Sequence, residues 1–360
     1  MLPPSEIENA LTYSPKDIAW THNLKEDLKR KIPLNVQDGE ITDQLYRPYS
    51  KSYLYYSKRL NERLYQNKKL FPKSDFSNLT IAINGIGARN GTSAIMSDKL
   101  MDLNTLEAGA QCFPLKLYEK VEENKADLFA GGGNGGYTER DGITDYGLKH
   151  FQAAYPGASI TKEDIFYYVY GLLHSPDYRA RFADNLAKQL PRIPCVKKVE
   201  DFWAFSEAGR KLGDLHVNYE SVAPYPVTYK EGSEQLWQIA DPVAFYRVEQ
   251  MKFGGKRPKL DKSTVIYNAN ITMTNIPLEA YEYVVNGKSA LDWVMERQCV
   301  SVDKHNPEKN KGSGIVNDAN DYANETMHDP SYPLRLFQRV ITVSLETMNI
   351  VRSLPKLDID

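Results

Sequence analysis

Hydrophobic and polar positions along this chain change period several times, and each change predicts a change of element. In "DIAWTHNLKEDLKRK", Trp20, Leu24 and Leu28 recur every four residues, which predicts a short amphipathic helix. In "SNLTIAINGIGARNG", Leu79, Ile81 and Ile83 alternate as in a strand and then give way to a glycine-rich turn. The stretch "NKADLFAGGGNGGYTERDG" sets five glycines around Asn134, a backbone too free for an element interior, and predicts a loop.

Helical periods fill the middle of the chain. Thr161 is placed to cap a helix carrying Ile165, Val169, Leu172 and Leu173, and Ser175-Pro176 offers an N-cap and N1 proline to a second. In that second helix Tyr178, Phe182, Leu186 and Leu190 follow i, i+4 spacing as far as Pro191. A third, "VEDFWAFSEAGRKLGDLH", puts Phe202, Phe205, Leu212 and Leu215 on one face, and the three are expected to pack together.

From Val243, "VAFYRVEQMKF", "STVIY" and "NITMTNI" predict strands of an antiparallel meander, with the basic loop "GGKRPKLDK" between the first two. Two short helices follow, "PLEAYEYVV" and "SALDWVMERQ", the latter with Ser289 and Asp292 spaced as a capping box. An acidic loop at 303–329 leads to a last helix from near Pro333 to about Leu354, whose two apolar rows predict burial or a docked partner. The blocks together predict an α+β fold: mixed and antiparallel sheet regions, an inserted helical subdomain and a long C-terminal helix. The expected parts are a lead-in at 1–45, a β-rich part with glycine loops at 46–158, helices at 159–222, and strands, basic hairpin and helices at 223–360.

Composition adds three facts. With 41% apolar and 26% charged residues and a net charge of −2, the chain has no global basic field that would announce a nucleic-acid binder. Its 3 cysteines lack metal-binding spacing, and no run approaches the roughly 18 apolar residues of a membrane span, so a reduced, cytoplasmic setting is expected. The local charge is uneven. Between Arg47 and Lys73, eight cations (Arg47, Lys51, Lys58, Arg59, Arg63, Lys68, Lys69, Lys73) face only Glu62, a local +7 that leaves −9 for the rest.

No catalytic centre is legible. The turn from Gly85 to Gly91 follows a strand, but it lacks both the Gly-Lys-Ser/Thr ending and the GxGxxG spacing of phosphate loops, and reads as a structural turn. The 6 histidines are scattered, and Asp177 is not followed by the Glu-x-Lys pair of a metal nuclease. No Asn/Asp-Pro-Pro-Tyr tetrapeptide is present for stacking a flipped adenine. No metal or cofactor is therefore expected in this chain. On residues alone the basic segment has two readings: a grip on a phosphate backbone, or a solvated face over tyrosines that alternate into a sheet.

The segment "YRPYSKSYLYYSKRLNERLYQNKKLFPK" also resembles a signature of the C-terminal specificity region of type I single-polypeptide (type ISP) restriction-modification enzymes. The resemblance rests on Arg47-Pro48-Tyr49, on the run Arg59-Leu60-Asn61-Glu62-Arg63-Leu64-Tyr65-Gln66, and on Phe71-Pro72. "DKLMDLNTLEAGAQCFPLKLYE", "DFWAFSEAGRKLGDLHVNYE", "AYEYVVNGKSALDWVMERQ" and "SGIVNDANDY" resemble later blocks of that family, in order.

The resemblance implies a target recognition domain of a bacterial enzyme, which reads a short asymmetric site on double-stranded DNA and performs no chemistry. Methylation of adenine, ATP-driven translocation and cleavage would belong to methyltransferase, helicase and nuclease portions, which would hold S-adenosylmethionine and Mg-ATP. Under this reading Arg47, Lys51, Lys58, Arg59, Arg63, Lys68 and Lys69 are expected to hold the DNA backbone. Arg89, Asn90, Thr92, Ser93, Asn134, Arg140, Lys256, Arg257 and Lys259 are the expected base readers. Met1 would then open in the middle of a longer polypeptide, as an excised domain, a truncated frame or a separate subunit. The competing expectation is a non-catalytic protein-interaction module docking on a methyltransferase or motor domain.

Overall fold

The computed structural model describes residues 3–11, 20–35, 37, 39–61, 64–121, 136–304 and 315–359. The first elements are α1 (Pro4–Ala10), α2 (His22–Lys29), β1 (Gly39–Arg47), β2 (Ser50–Ser57), α3 (Asn67–Leu70), β3 (Thr80–Ile83) and β4 (Ala94–Ser97). Next come β5 (Leu100–Met101), β6 (Gln111–Pro114), β7 (Lys116–Lys120), β8 (Tyr137–Asp141), α4 (Asp145–Ala154), α5 (Lys162–His174), α6 (Pro176–Arg181), α7 (Ala183–Leu186) and α8 (Val199–Val217). The remainder is β9 (Thr228–Tyr229), α9 (Pro242–Tyr246), β10 (Lys252–Lys256), β11 (Lys259–Ile266), β12 (Thr272–Thr274), β13 (Val284–Val285), β14 (Lys288–Ser289), α10 (Ala290–Arg297), β15 (Val300–Val302), β16 (Val316–Asp318), α11 (Ala319–Asp321) and α12 (Tyr332–Ser353). The fold is α+β, with small sheets ordered β2-β1-β5, β4-β3-β6, β7-β8, β10-β11-β12-β9, β13-β14 and β15-β16 among the described residues.

The sheet β4-β3-β6 organises the rest, because every residue of β3 and β4 is buried. Side chains alternate across a strand, so such a pair must be covered on both faces. Ile81, Ile83 and Met96 point into one core with Phe166, Phe202 and Phe205 of the helical layer. Ala82 and Ile95, opposite one another in the register, belong to a second core with Val265, Met273 and Phe337.

The predicted helices around residues 161–217 do pack together. Thr161 and Asp164 form a reciprocal capping box at the start of α5. Helices α5 and α8 cross at Gly171 and Gly209, where a Cβ on either would overlap the carbonyl oxygen of Phe205 or Tyr167. Only glycine permits that approach. The single helix expected from Pro176 to Leu190 is instead broken at Phe182 into α6 and α7, and Leu190 is 43% exposed. The break bends the chain toward the glycine turn, where the Gly87 N–H donates to the Ala187 carbonyl at 3.3 Å.

Other expectations change for local reasons. "VAFY" is the short helix α9 rather than a strand, because the Asp241 side chain caps it from Ala244 N–H and Pro242 sits at its first turn. "LEAY" is one 3₁₀ turn, and the following "VVNGKS" is the hairpin β13-β14 rather than more helix. The region expected as a loop before α12 contains β16, α11 and a π-helical turn at Tyr322–Thr326. The final helix is not left free for a partner. In α12, Leu334, Leu336, Phe337, Val340, Ile341 and Val343 are all 0% exposed, while Ile350 and Leu354 pack into the helical-layer core. Of the two outcomes its apolar rows predict, burial or a docked partner, these residues show burial.

A buried polar chain joins these layers. Tyr170 Oη and His216 Nδ1 are 2.6 Å apart, His216 Nε2 and Thr347 Oγ1 are 2.9 Å apart, and the His216 ring stacks on Tyr283. Neutral imidazole carries one N–H, so it donates on one side and accepts on the other. Burial holds His216 down at about 3 and pushes His174 well below the usual histidine range. The unfolded chain therefore binds more protons than the folded one from near neutrality down to about pH 3. Stability is complete above the ordinary histidine range and falls as pH drops below it. Urea unfolding between pH 7 and pH 5 should show that fall, at a slope of up to about 1.4 kcal/mol per pH unit for each histidine. His216→Gln should reduce it, leaving the share of His174, and an unchanged slope would remove His216 from the account.

Candidate nucleic-acid interface

The basic segment is built from its turn outward. Pro48 presets the first turn position, and Tyr49 follows at φ 57°, a left-handed conformation that tyrosine seldom adopts. Burial holds it there: Tyr49 is 1% exposed and its ring meets Tyr219 edge-on, with centroids 5.2 Å apart. The tyrosines then divide between core and surface. Tyr56 is buried and donates to the Phe71 carbonyl at 3.0 Å, while Tyr53 and Tyr65 are 55% and 73% exposed.

The cations divide in the same way. Arg47 pairs with Asp102 at 2.6 Å and lies over the Tyr46 ring. Lys51 pairs with Glu220 at 2.5 Å, and Glu220 also accepts from the Tyr332 hydroxyl at the start of α12. Lys68 sits 3.4 Å above the Tyr56 ring and donates to the Pro72 carbonyl, and burial lowers its pKa. These three, expected on DNA phosphates, each have a partner within the chain. Lys58 and Lys69 are exposed, and their side chains make no hydrogen bond or ion pair among the described residues. Arg59 is exposed with one bond, to the Pro33 carbonyl at 3.0 Å. Arg63 lies outside the described residues.

The glycine turn links β3 to β4, with no helix behind it to offer a phosphate site. Asn84 Nδ2 donates to Asn286 Oδ1 at 3.0 Å, and Asn84 Oδ1 accepts from Ser93 N–H at 2.6 Å. Asn286 Oδ1 also accepts from Glu107 N–H, and Asn286 N–H donates to Ser93 Oγ at 2.7 Å. Glu107 Oε2 accepts the successive N–H groups of Arg89 and Asn90, at 2.9 and 3.0 Å. Three sequence-distant loops are thus tied into one clasp. Ser93, expected as a base reader, is 3% exposed and belongs to that clasp. Thr92 is half-buried and lines a cavity of about 270 Å³ with Ile83, Arg179 and Leu186. Arg89 and Asn90 remain exposed at the tip.

The other readers sit on separate supports. Lys256, Arg257 and Lys259 form the exposed tip of hairpin β10-β11, and their side chains have no partner among the described residues. Arg140 lies on β8 and pairs with Glu119 at 2.7 Å, an exposed pair of the kind that contributes little. Asn134 lies outside the described residues. Asp177 Oδ2 accepts from Leu357 N–H at 3.2 Å and so fastens the C-terminal stretch.

Residues 4–336 match the family described as the type ISP C-terminal specificity domain. The chain belongs to this family. A DNA-bound ATP-dependent type ISP restriction-modification enzyme, LlaBIII, is similar at 34% identity and TM-score 0.79, over 96% of this chain and 20% of that one. A nuclease-deletion mutant of the type ISP enzyme LlaGI, in complex with a DNA substrate mimic, matches at 32% identity and TM-score 0.77, over 100% of this chain and 24% of that one. The DrdV–DNA complex matches at 31% identity and TM-score 0.75, over 99% of this chain and 32% of that one. The chain thus spans about a third or less of the length of these neighbours. No curated protein matches it.

Sequence reasoning missed Glu107, Asn84 and Asn286, which belong to no charge cluster or catalytic motif. Only the Asn286-Gly287 pair carried a signal, as a turn. The division of the cations has a direct check. Lys51→Ala should lower stability to urea by about 1 to 3 kcal/mol, because Glu220 loses a charged partner. Lys69→Ala should stay within about 0.5 kcal/mol, as for surface sites without such features. Equal effects would contradict the division.

Proposed function

We propose that this chain is the specificity module of a bacterial type ISP restriction-modification enzyme and reads a short asymmetric site on double-stranded DNA. The observation that carries the reading is the match, over nearly the whole chain, to type ISP enzymes solved with DNA. The exposed cations on the β10-β11 tip and at Lys58 and Lys69, without partners among the described residues, support it, because DNA offers what they lack.

In this reading Lys58, Arg59 and Lys69, with Arg63, hold phosphates and set the register. Arg89 and Asn90, the hairpin residues Lys256, Arg257 and Lys259, and Asn134 and Arg140 reach base edges. The chain itself takes no cofactor and works in the cytoplasm. Adenine methylation, translocation and cleavage fall to methyltransferase, helicase and nuclease portions of the same system, with S-adenosylmethionine and Mg-ATP bound there.

Fluorescence anisotropy against salt concentration tests the division of roles. Lys58→Ala and Lys69→Ala should each weaken every duplex alike and reduce the salt slope by about 1. Arg257→Ala should change the preference at one base pair, by about 1 to 3 kcal/mol. A relaxed sequence preference in Lys69→Ala would move that residue from phosphate to base.

A further inference from the structure

The clasp around the glycine turn does more than close a loop. Glu107 is bonded through three of its groups: its N–H donates to Asn286, its carbonyl accepts from Gly85 N–H at 3.0 Å, and its carboxylate accepts from Arg89 and Asn90. The two N–H groups held by Oε2 are successive, so the carboxylate fixes the orientation of the peptide that carries the Arg89 side chain. Asn286 locks the base of the turn from another part of the chain, 202 positions from Asn84. It sits at φ 52° in the β13-β14 turn, and a Cβ on the next residue, Gly287, would come within 2.6 Å of Asn90 Cγ. The Asn90 side chain is therefore pressed against the Gly287 backbone. Arg89 is the long side chain left exposed on a fixed backbone, and it has no hydrogen bond or ion pair of its own among the described residues.

Fixing the backbone before binding removes part of the ordering loss that a long side chain on a loose loop would suffer. A guanidinium fork matches guanine O6 and N7 in the major groove. We propose that Arg89 reads one guanine, and that Glu107 and Asn286 are positioning residues which hold its backbone in the reading orientation. This rests on the DNA-recognition reading above and deepens it by naming the base and the residues that aim at it.

The test uses the 360-residue chain and its preferred duplex, with each base pair substituted in turn. Arg89→Ala should erase a guanine preference at one position by at least about fivefold, the low end for one bidentate pair. Glu107→Ala should reduce the preference at that same position and leave the salt slope unchanged. Glu107→Gln, which keeps an acceptor for both N–H groups, should restore it. Asn286→Gly tolerates the left-handed backbone and deletes the side chain, so it gives a second route to the same loss should Glu107→Ala unfold in urea controls. If Arg89→Ala weakens all duplexes equally and lowers the salt slope, Arg89 holds a phosphate and the proposal fails. If Arg89→Ala moves the preference but both clasp variants leave it intact, the positioning role fails. A wild-type chain with no base preference anywhere would overturn the DNA reading itself, a result distinct from either.

Discussion

A helix with apolar residues on opposite sides needs cover on each of them, and α12 finds that cover within its own polypeptide. Its first half fills the core shared with Val265 and Met273, and its end reaches the core built by α5 and α8. Thr347 adds the hydrogen bond to His216 that joins the helix to the helical layer. Removing apolar surface of this kind from water is the dominant favourable term in folding. It also sets where β3 and β4 stand, because the two strands lie between the same two cores and carry the exposed tip of the turn that joins them. The exposed loops thus stand on a frame set by the two cores.

The frame explains why one basic segment contains two kinds of cation. Arg47, Lys51 and Lys68 each face a carboxylate, a carbonyl or a ring inside the fold, and Lys51 ties β2 through Glu220 to the start of α12. Lys58 and Lys69 leave the same segment facing solvent. A charge run read from sequence gives only the count. Which charges are available to a phosphate depends on partners such as Asp102 and Glu220, which are 55 and 169 positions away.

Much of the fold was legible. The helical-period rows predicted α2, α5, α8 and α12, and the caps at Thr161, Ser175 and Ser289 fixed three starts. Where sequence reasoning failed, a local signal was outweighed. The i, i+4 row through Leu190 is broken because α6 and α7 bend toward the glycine turn, and "VAFY" obeys the Asp241-Pro242 cap rather than its own strand propensity. The basic segment was legible as a family signature, and its Arg-Pro-Tyr has a physical basis in a buried, left-handed Tyr49. The clasp was not legible, since hydrogen bonds among Asn84, Ser93, Glu107 and Asn286 leave no periodicity, charge or motif in the sequence.

The central proposal is that this chain selects a DNA sequence. The most direct measurement is enrichment of duplexes from a random pool by the 360-residue chain, carried out at two salt concentrations. The account predicts one short asymmetric consensus, recovered at both salts, with fewer duplexes retained at the higher. Retention of all sequences equally, or of none above background, would contradict it.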